Sequence, residues 1–119
     1  MSWFRKAAEQ GHAHAQYNLG VTYAEGKGIA QDYVAAVKWW RLAAEQGDSH
    51  AQFNLGLTYT EGRGVSQDYV QAHMWFNLAA AEGIEMGRKK RDIIAKNMTP
   101  ADISKAQRLA REWLEEHGV

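Results

Sequence analysis

The chain has 119 residues, of which 45% are hydrophobic, and its 14 basic and 14 acidic side chains leave no net charge. That length suits one domain, and the balanced charge gives no global pull toward nucleic acid or an anionic membrane. The absence of cysteine excludes a disulfide framework, a thiolate metal site and a cysteine nucleophile, and no apolar run approaches the roughly 20 residues of a membrane-spanning helix.

Met1-Ser2-Trp3 leads straight into a helical pattern without the apolar core of a signal peptide. A soluble protein is expected. Its compartment stays open: the cytoplasm or, if a leader has been removed, the bacterial periplasm or exterior. Residues 2–10 read as a short helix that Ser2 can cap and Gly11 stops. Over 12–25, Ala15, Leu19 and Tyr23 recur every four residues with Gln16 and Gly20 beside them, which is one face of a helix. Gly20 costs about 1 kcal/mol against alanine in mid-helix, so its position implies the close approach of a neighbour. Gly26 and Gly28 then end the helix, since glycine takes positive φ without strain.

Asp32 opens the next helix, where a carboxylate suits the positive end of the helix dipole. This helix carries Ala36, Trp39, Trp40, Ala43 and Ala44 on one side and stops at Gly47. Large tryptophans among small alanines suit interdigitating stacked helices. Residues 48–61 and 67–82 repeat the pair, with Asp48 and Ser66 as candidate N-caps. After Gly83 the pattern frays: 84–97 still reads as helix, but Arg88, Lys89, Lys90 and Arg91 stand where small or apolar residues are expected. Thr99-Pro100 then starts a last helix with a cap followed by proline at the first turn, and Ala110 and Trp113 keep the spacing of Ala36 and Trp39.

The organising fact is a period of 36 residues. Glu25-Gly26-Lys27-Gly28-Ile29 returns as Glu61-Gly62-Arg63-Gly64-Val65, and Trp3, Trp39 and Trp75 form one column. Aligned end to end, 12–47 and 48–83 are identical at 21 of 36 positions, the signature of a solenoid. Seven helices are expected: 1–11 as a trailing half-repeat, 12–47 as repeat one, 48–83 as repeat two and 84–119 as a degenerate capping repeat, whose departure from the pattern suits a terminal unit.

The columns Ala15, Leu19, Gly20, Tyr23, Gly26, Gly28, Ile29, Asp32, Ala36, Trp39, Ala43, Ala44 and Gly47 return as Ala51, Leu55, Gly56, Tyr59, Gly62, Gly64, Val65, Asp68, Ala72, Trp75, Ala79, Ala80 and Gly83. This pattern resembles the Sel-one-like repeat family, relatives of tetratricopeptide repeats. The resemblance implies an all-α, right-handed α/α superhelix whose first helices line a concave surface, and a role as an adaptor or scaffold holding other proteins. Many bacterial members of that family work in or beyond the cell envelope. A cysteine-rich subset is linked to penicillin binding or hydrolysis, and a chain without cysteine does not inherit that activity.

At 100° per residue, His14, Tyr17, Asn18, Val21 and Glu25 fall opposite the core arc, and His50, Phe53, Asn54, Leu57 and Glu61 repeat them. Aromatic and aliphatic anchors among His, Asn and Glu suit a peptide groove, because an asparagine amide pairs with both the N–H and the C=O of an extended backbone. The competing reading has Asn18 and Asn54 merely bridging adjacent helices. The histidines lack HxxxH or HxxH spacing, so no metal is expected. The run 88–91 reads as a solvated helix face, and the tryptophan columns read as core. No nucleophile elbow, phosphate loop or recurring acid–base pair is present, so neither catalysis nor a cofactor is expected. Trp3 and Phe4, on a helix without its pair partner, are expected to have an exposed flank that mediates self-association. The sequence thus predicts a module that binds a protein partner on its concave face, or else a structural building block that joins to copies of itself through its ends.

Overall fold

Repeated cap chemistry divides the chain into helices. The computed structural model describes residues 2–117 and, within them, every side chain except those of Ser2 and Phe4. The cap expected from Ser2 and the contact expected from Phe4 therefore lie outside the described side chains. Seven helices occur among the described residues: α1 (Ser2–Glu9), α2 (Ala13–Glu25), α3 (Tyr33–Glu45), α4 (Ser49–Glu61), α5 (Tyr69–Ala81), α6 (Glu85–Ala95) and α7 (Pro100–Glu116). Asp32, Asp48 and Asp68 cap α3, α4 and α5, each carboxylate accepting from the backbone N–H three residues on. Ser66 is thus not the cap of α5. Asp68 holds the position of Asp32 one period later, and Ser66 lies two residues ahead of it in the exposed connection. Thr99 caps α7 in the same way, with Pro100 in its first turn. Gly26 and Gly62 close α2 and α4 in the left-handed conformation, with φ of 71° at each.

From α1 to α6 each helix packs on the next, and α7 passes over α6 to pack against α5. The result is a right-handed α/α solenoid of 45 × 29 × 21 Å. Its main core joins Trp40, Leu55, Trp75 and Leu78 to a bed of alanines from α3 and α4. Gly20 and Gly56 sit where the helices of each pair meet: a Cβ on Gly20 would overlap the indole of Trp40, and one on Gly56 would overlap the ring of Phe76. The tryptophan columns are graded along the array. Trp75 is fully buried, Trp39 and Trp113 are half-buried, and Trp3 is 71% exposed.

Polar ties repeat with the same period. Arg5 donates to the Tyr23 hydroxyl at 2.7 Å and Arg41 to the Tyr59 hydroxyl. At the third step Asn77 and Ala95 replace the arginine and the tyrosine, and Arg91 turns back to donate to Asn77 Oδ1 at 2.7 Å. Arg91 is therefore a structural tie rather than part of a solvated face. Arg88 and Lys89 are exposed.

Candidate functional site: the inner face of the first helices

The candidate face is built by α2 and α4, and it is not wholly turned from the core as the helical wheel suggests. Tyr17 and Val21 pack against the main core, and Phe53 and Leu57 against the cluster of Ala72, Phe76 and Ile94, because the neighbouring helices reach round to this side. Tyr17 is half-buried between two imidazoles: its ring stacks on His14 at 6.3 Å between centroids and meets His50 of the next repeat at 5.8 Å. The Tyr17 carbonyl accepts from Trp40 Nε1 at 3.2 Å, so the backbone beneath the ring is fixed to α3. Phe53, the counterpart of Tyr17, leans instead on the Phe76 ring at 5.6 Å and joins a small core with Ile94.

A cleft of about 280 Å³ runs beside Tyr17. Tyr17, Val21 and Glu25 supply one wall and Asn54, Leu57 and Glu61 the other. His14, His50, Asn18 and Phe53 flank this cleft without lining it. Ala24, Tyr33, Trp40, Thr58 and Arg63 line it too, although they fall outside the arcs drawn from the first helices. Arg63 on this lining donates to the Tyr33 hydroxyl at 2.9 Å with its guanidinium 5.3 Å from that ring. The recurrence of Arg63 and Tyr33 in the columns of Lys27 and Tyr69 is the sequence signal that marks them.

The charges at the rim are mostly compensated. Glu25 pairs with Lys27 at 3.2 Å and Glu61 with Arg63 at 3.7 Å. Among the described residues, the side-chain amides of Asn18 and Asn54 make no hydrogen bond, so neither bridges adjacent helices. The same columns continue onto α6. Met86 and Ile93 stand one period after His50 and Leu57 and are 47% and 55% exposed. Lys89 and Lys90 follow Phe53 and Asn54.

Among the described residues no group of three or more His, Asp or Glu side chains is placed to hold a metal ion, and no helix is long and apolar enough to cross a membrane. His73 is buried, and its imidazole pKa is lowered first by burial and then by the nearby Arg91.

An open stack of helix pairs with a 36-residue period is a tetratricopeptide-like repeat protein. The chain matches the Sel1 repeat over residues 1–12, 13–48, 49–84 and 97–116, and it belongs to the Sel1 repeat family. Among solved structures it is similar to c5321, described as a protective antigen of uropathogenic Escherichia coli strains with an SLR fold. The two share 42% identity at a TM-score of 0.93, over 98% of this chain and 25% of that one. It is also similar to a Sel1 repeat protein from Oxalobacter formigenes, at 41% identity and a TM-score of 0.76 over 78% of this chain and 38% of that one. The chain thus spans about a quarter to two fifths of the length of these two proteins. No curated protein matches it. Sel1 repeats generally serve as scaffolds for protein interaction and are generally non-catalytic.

Proposed function

We propose that this chain is an adaptor that binds a partner segment along the inner face of α2 and α4. The observation that carries the reading is the pair of unengaged asparagine amides, Asn18 and Asn54, beside the Tyr17, Val21 and Leu57 surface. A polar amide left without a partner next to apolar anchors suits an extended peptide, whose backbone offers both a donor and an acceptor. The apolar cleft then takes a side chain, and the peptide backbone runs past the asparagines. The reading needs no cofactor and no catalytic group.

The test is capture from native lysate by the wild-type chain and by Asn18→Ala/Asn54→Ala, whose truncated amides hold no hydrogen bond among the described residues. A partner retained by the wild type and lost by the variant supports the inner face. Equal capture by both removes it. A second reading is favoured by the exposure of Trp3: a building block that joins another copy or a further repeat through α1. Light scattering of wild type and Trp3→Ala at high concentration decides it. A species that is monomeric in both cases counts against self-association.

A further inference from the structure

The two full repeats are near copies, so a polar group that is satisfied in one and orphaned in the other marks a difference in use. Gln16 is buried beneath the start of repeat one. Its amide nitrogen donates to the Ala8 carbonyl at 3.1 Å, and its Oε1 accepts from Gln46 Nε2 at 2.8 Å. Gln52, one period later, donates to the Ala44 carbonyl at 3.3 Å in the same manner. Its side chain is 1% exposed, yet no donor reaches its Oε1 among the described residues. The cause lies in the sequence: the counterpart of Gln46 is Glu82. A carboxylate accepts and does not donate, so position 82 cannot supply the donor that Gln46 gives to Gln16.

That place is a cavity of about 280 Å³ between the ends of α3 and α5 and the last turns of α7, lined by Gln52, Glu82, Trp113, Glu45 and His117. Glu45 is already held by His117, whose Nε2 lies 2.9 Å from its carboxylate. The His117 ring in turn stacks on Trp113 with centroids 3.8 Å apart. The Glu82 carboxylate makes no ion pair or hydrogen bond among the described residues. The indole N–H of Trp113, a residue of the same lining, is buried with no acceptor among the described residues. The cavity therefore offers one buried acceptor, one uncommitted carboxylate and one buried donor.

We propose that this cavity is a binding site for a guanidinium group carried beside a carbonyl, the chemistry of an arginine side chain with its peptide group. The guanidinium donates in a fixed fork to Gln52 Oε1 and to the Glu82 carboxylate, and the carbonyl accepts from Trp113 Nε1. The site is separate from the inner face of α2 and α4 and stands or falls independently of it.

The guanidinium has two sources, a free small molecule or an arginine within a peptide, and two probes separate them. The Trp113 indole N–H resonance, assigned with Trp113→Phe, is followed during titration with methylguanidinium and with Nα-acetyl-L-arginine amide, potassium chloride serving as the ionic-strength control. A saturable shift with either probe is expected in the wild type. A shift with both shows that the cation suffices, and one with the acetylated arginine amide alone assigns the site to peptide-borne arginine. Glu82→Gln gives position 82 the side chain that position 46 already carries and lets it donate to Gln52. It is expected to fold and to weaken binding by roughly tenfold or more. No saturable shift for either probe, or equal affinity in wild type and Glu82→Gln, overturns the proposal.

Discussion

Gly56 lies directly against Phe76, and a Cβ on this glycine would overlap the Cδ1, Cε1 and Cγ atoms of the ring. Phe76 is fully buried, so the ring has nowhere to retreat. Alanine gains about 1 kcal/mol of helix propensity over glycine, while overpacking a closed core costs about 1–3 kcal/mol. With overlap this deep the packing cost prevails. Gly56→Ala is expected to lower stability by about 1–2 kcal/mol in urea denaturation, and Gly20→Ala, against Trp40, should do the same. A stabilised Gly56→Ala would mean that the two helices are not in this contact.

The caps make a second, sharper comparison. Asp68 accepts from the Gln71 N–H at 3.1 Å, whereas Ser66 is exposed in the connection before α5. Asp68→Ala is expected to cost about 1 kcal/mol, and Ser66→Ala should stay within about 0.5 kcal/mol of wild type. Equal costs would return Ser66 to the cap.

These cases show what the sequence made legible. The 36-residue period carried the helix order and both close glycine contacts, because each glycine meets a ring from the same column of the following helix, Trp40 in one repeat and Phe76 in the next. The cap of α5 was misread where two polar residues compete within one connection, although the Asp32 column already pointed to Asp68. The inner-face residues found from periodicity alone belong to α2 and α4. Tyr33, Trp40 and Arg63 reach the same cleft from α3 and from a loop, and a single helical wheel cannot place residues across elements. The orphaned Gln52 oxygen was beyond reach for the same reason. The Glu82 replacement is visible in the sequence, but its partner is known only once helix ends are brought together.

Two histidines give pH dependence of opposite sign. At His117 the ring Nδ1 lies 2.7 Å from the Trp113 carbonyl and can only donate there, which turns Nε2 toward the Glu45 carboxylate. Protonation makes Nε2 a donor as well, so the Trp113 carbonyl first, and Glu45 after it, hold the pKa above 6.5. That contribution to stability is fully present below the unfolded value of 6.5 and is lost as pH rises through the folded pKa. At His73 burial, aided by Arg91, holds the pKa below 6.5. Its contribution is present above 6.5 and is lost as pH falls through the folded pKa. The measurement is stability across pH for wild type, His117→Gln and His73→Gln. The stability difference between wild type and His117→Gln should shrink from about pH 5 to about pH 8, while His73→Gln should lose part of the wild type's decline toward acid. Parallel curves for wild type and His117→Gln would show that the ring is not tied to Glu45 in solution.

The exposed residues of α6 decide how far the proposed inner face extends. Met86 and Ile93 occupy the columns of His50 and Leu57 and are about half exposed, so Met86→Ser/Ile93→Ser removes apolar surface with little core to disturb. Stability should change by no more than about 1 kcal/mol. If the partner segment runs the length of the face, each apolar contact it makes here removes water from both surfaces. Affinity for the partner captured through Asn18 and Asn54 should then fall by roughly tenfold, a change of about 1.4 kcal/mol. Titration calorimetry with that partner reads the difference directly. Unchanged affinity would confine the footprint to α2 and α4 and leave the α6 residues as surface of the last helix pair.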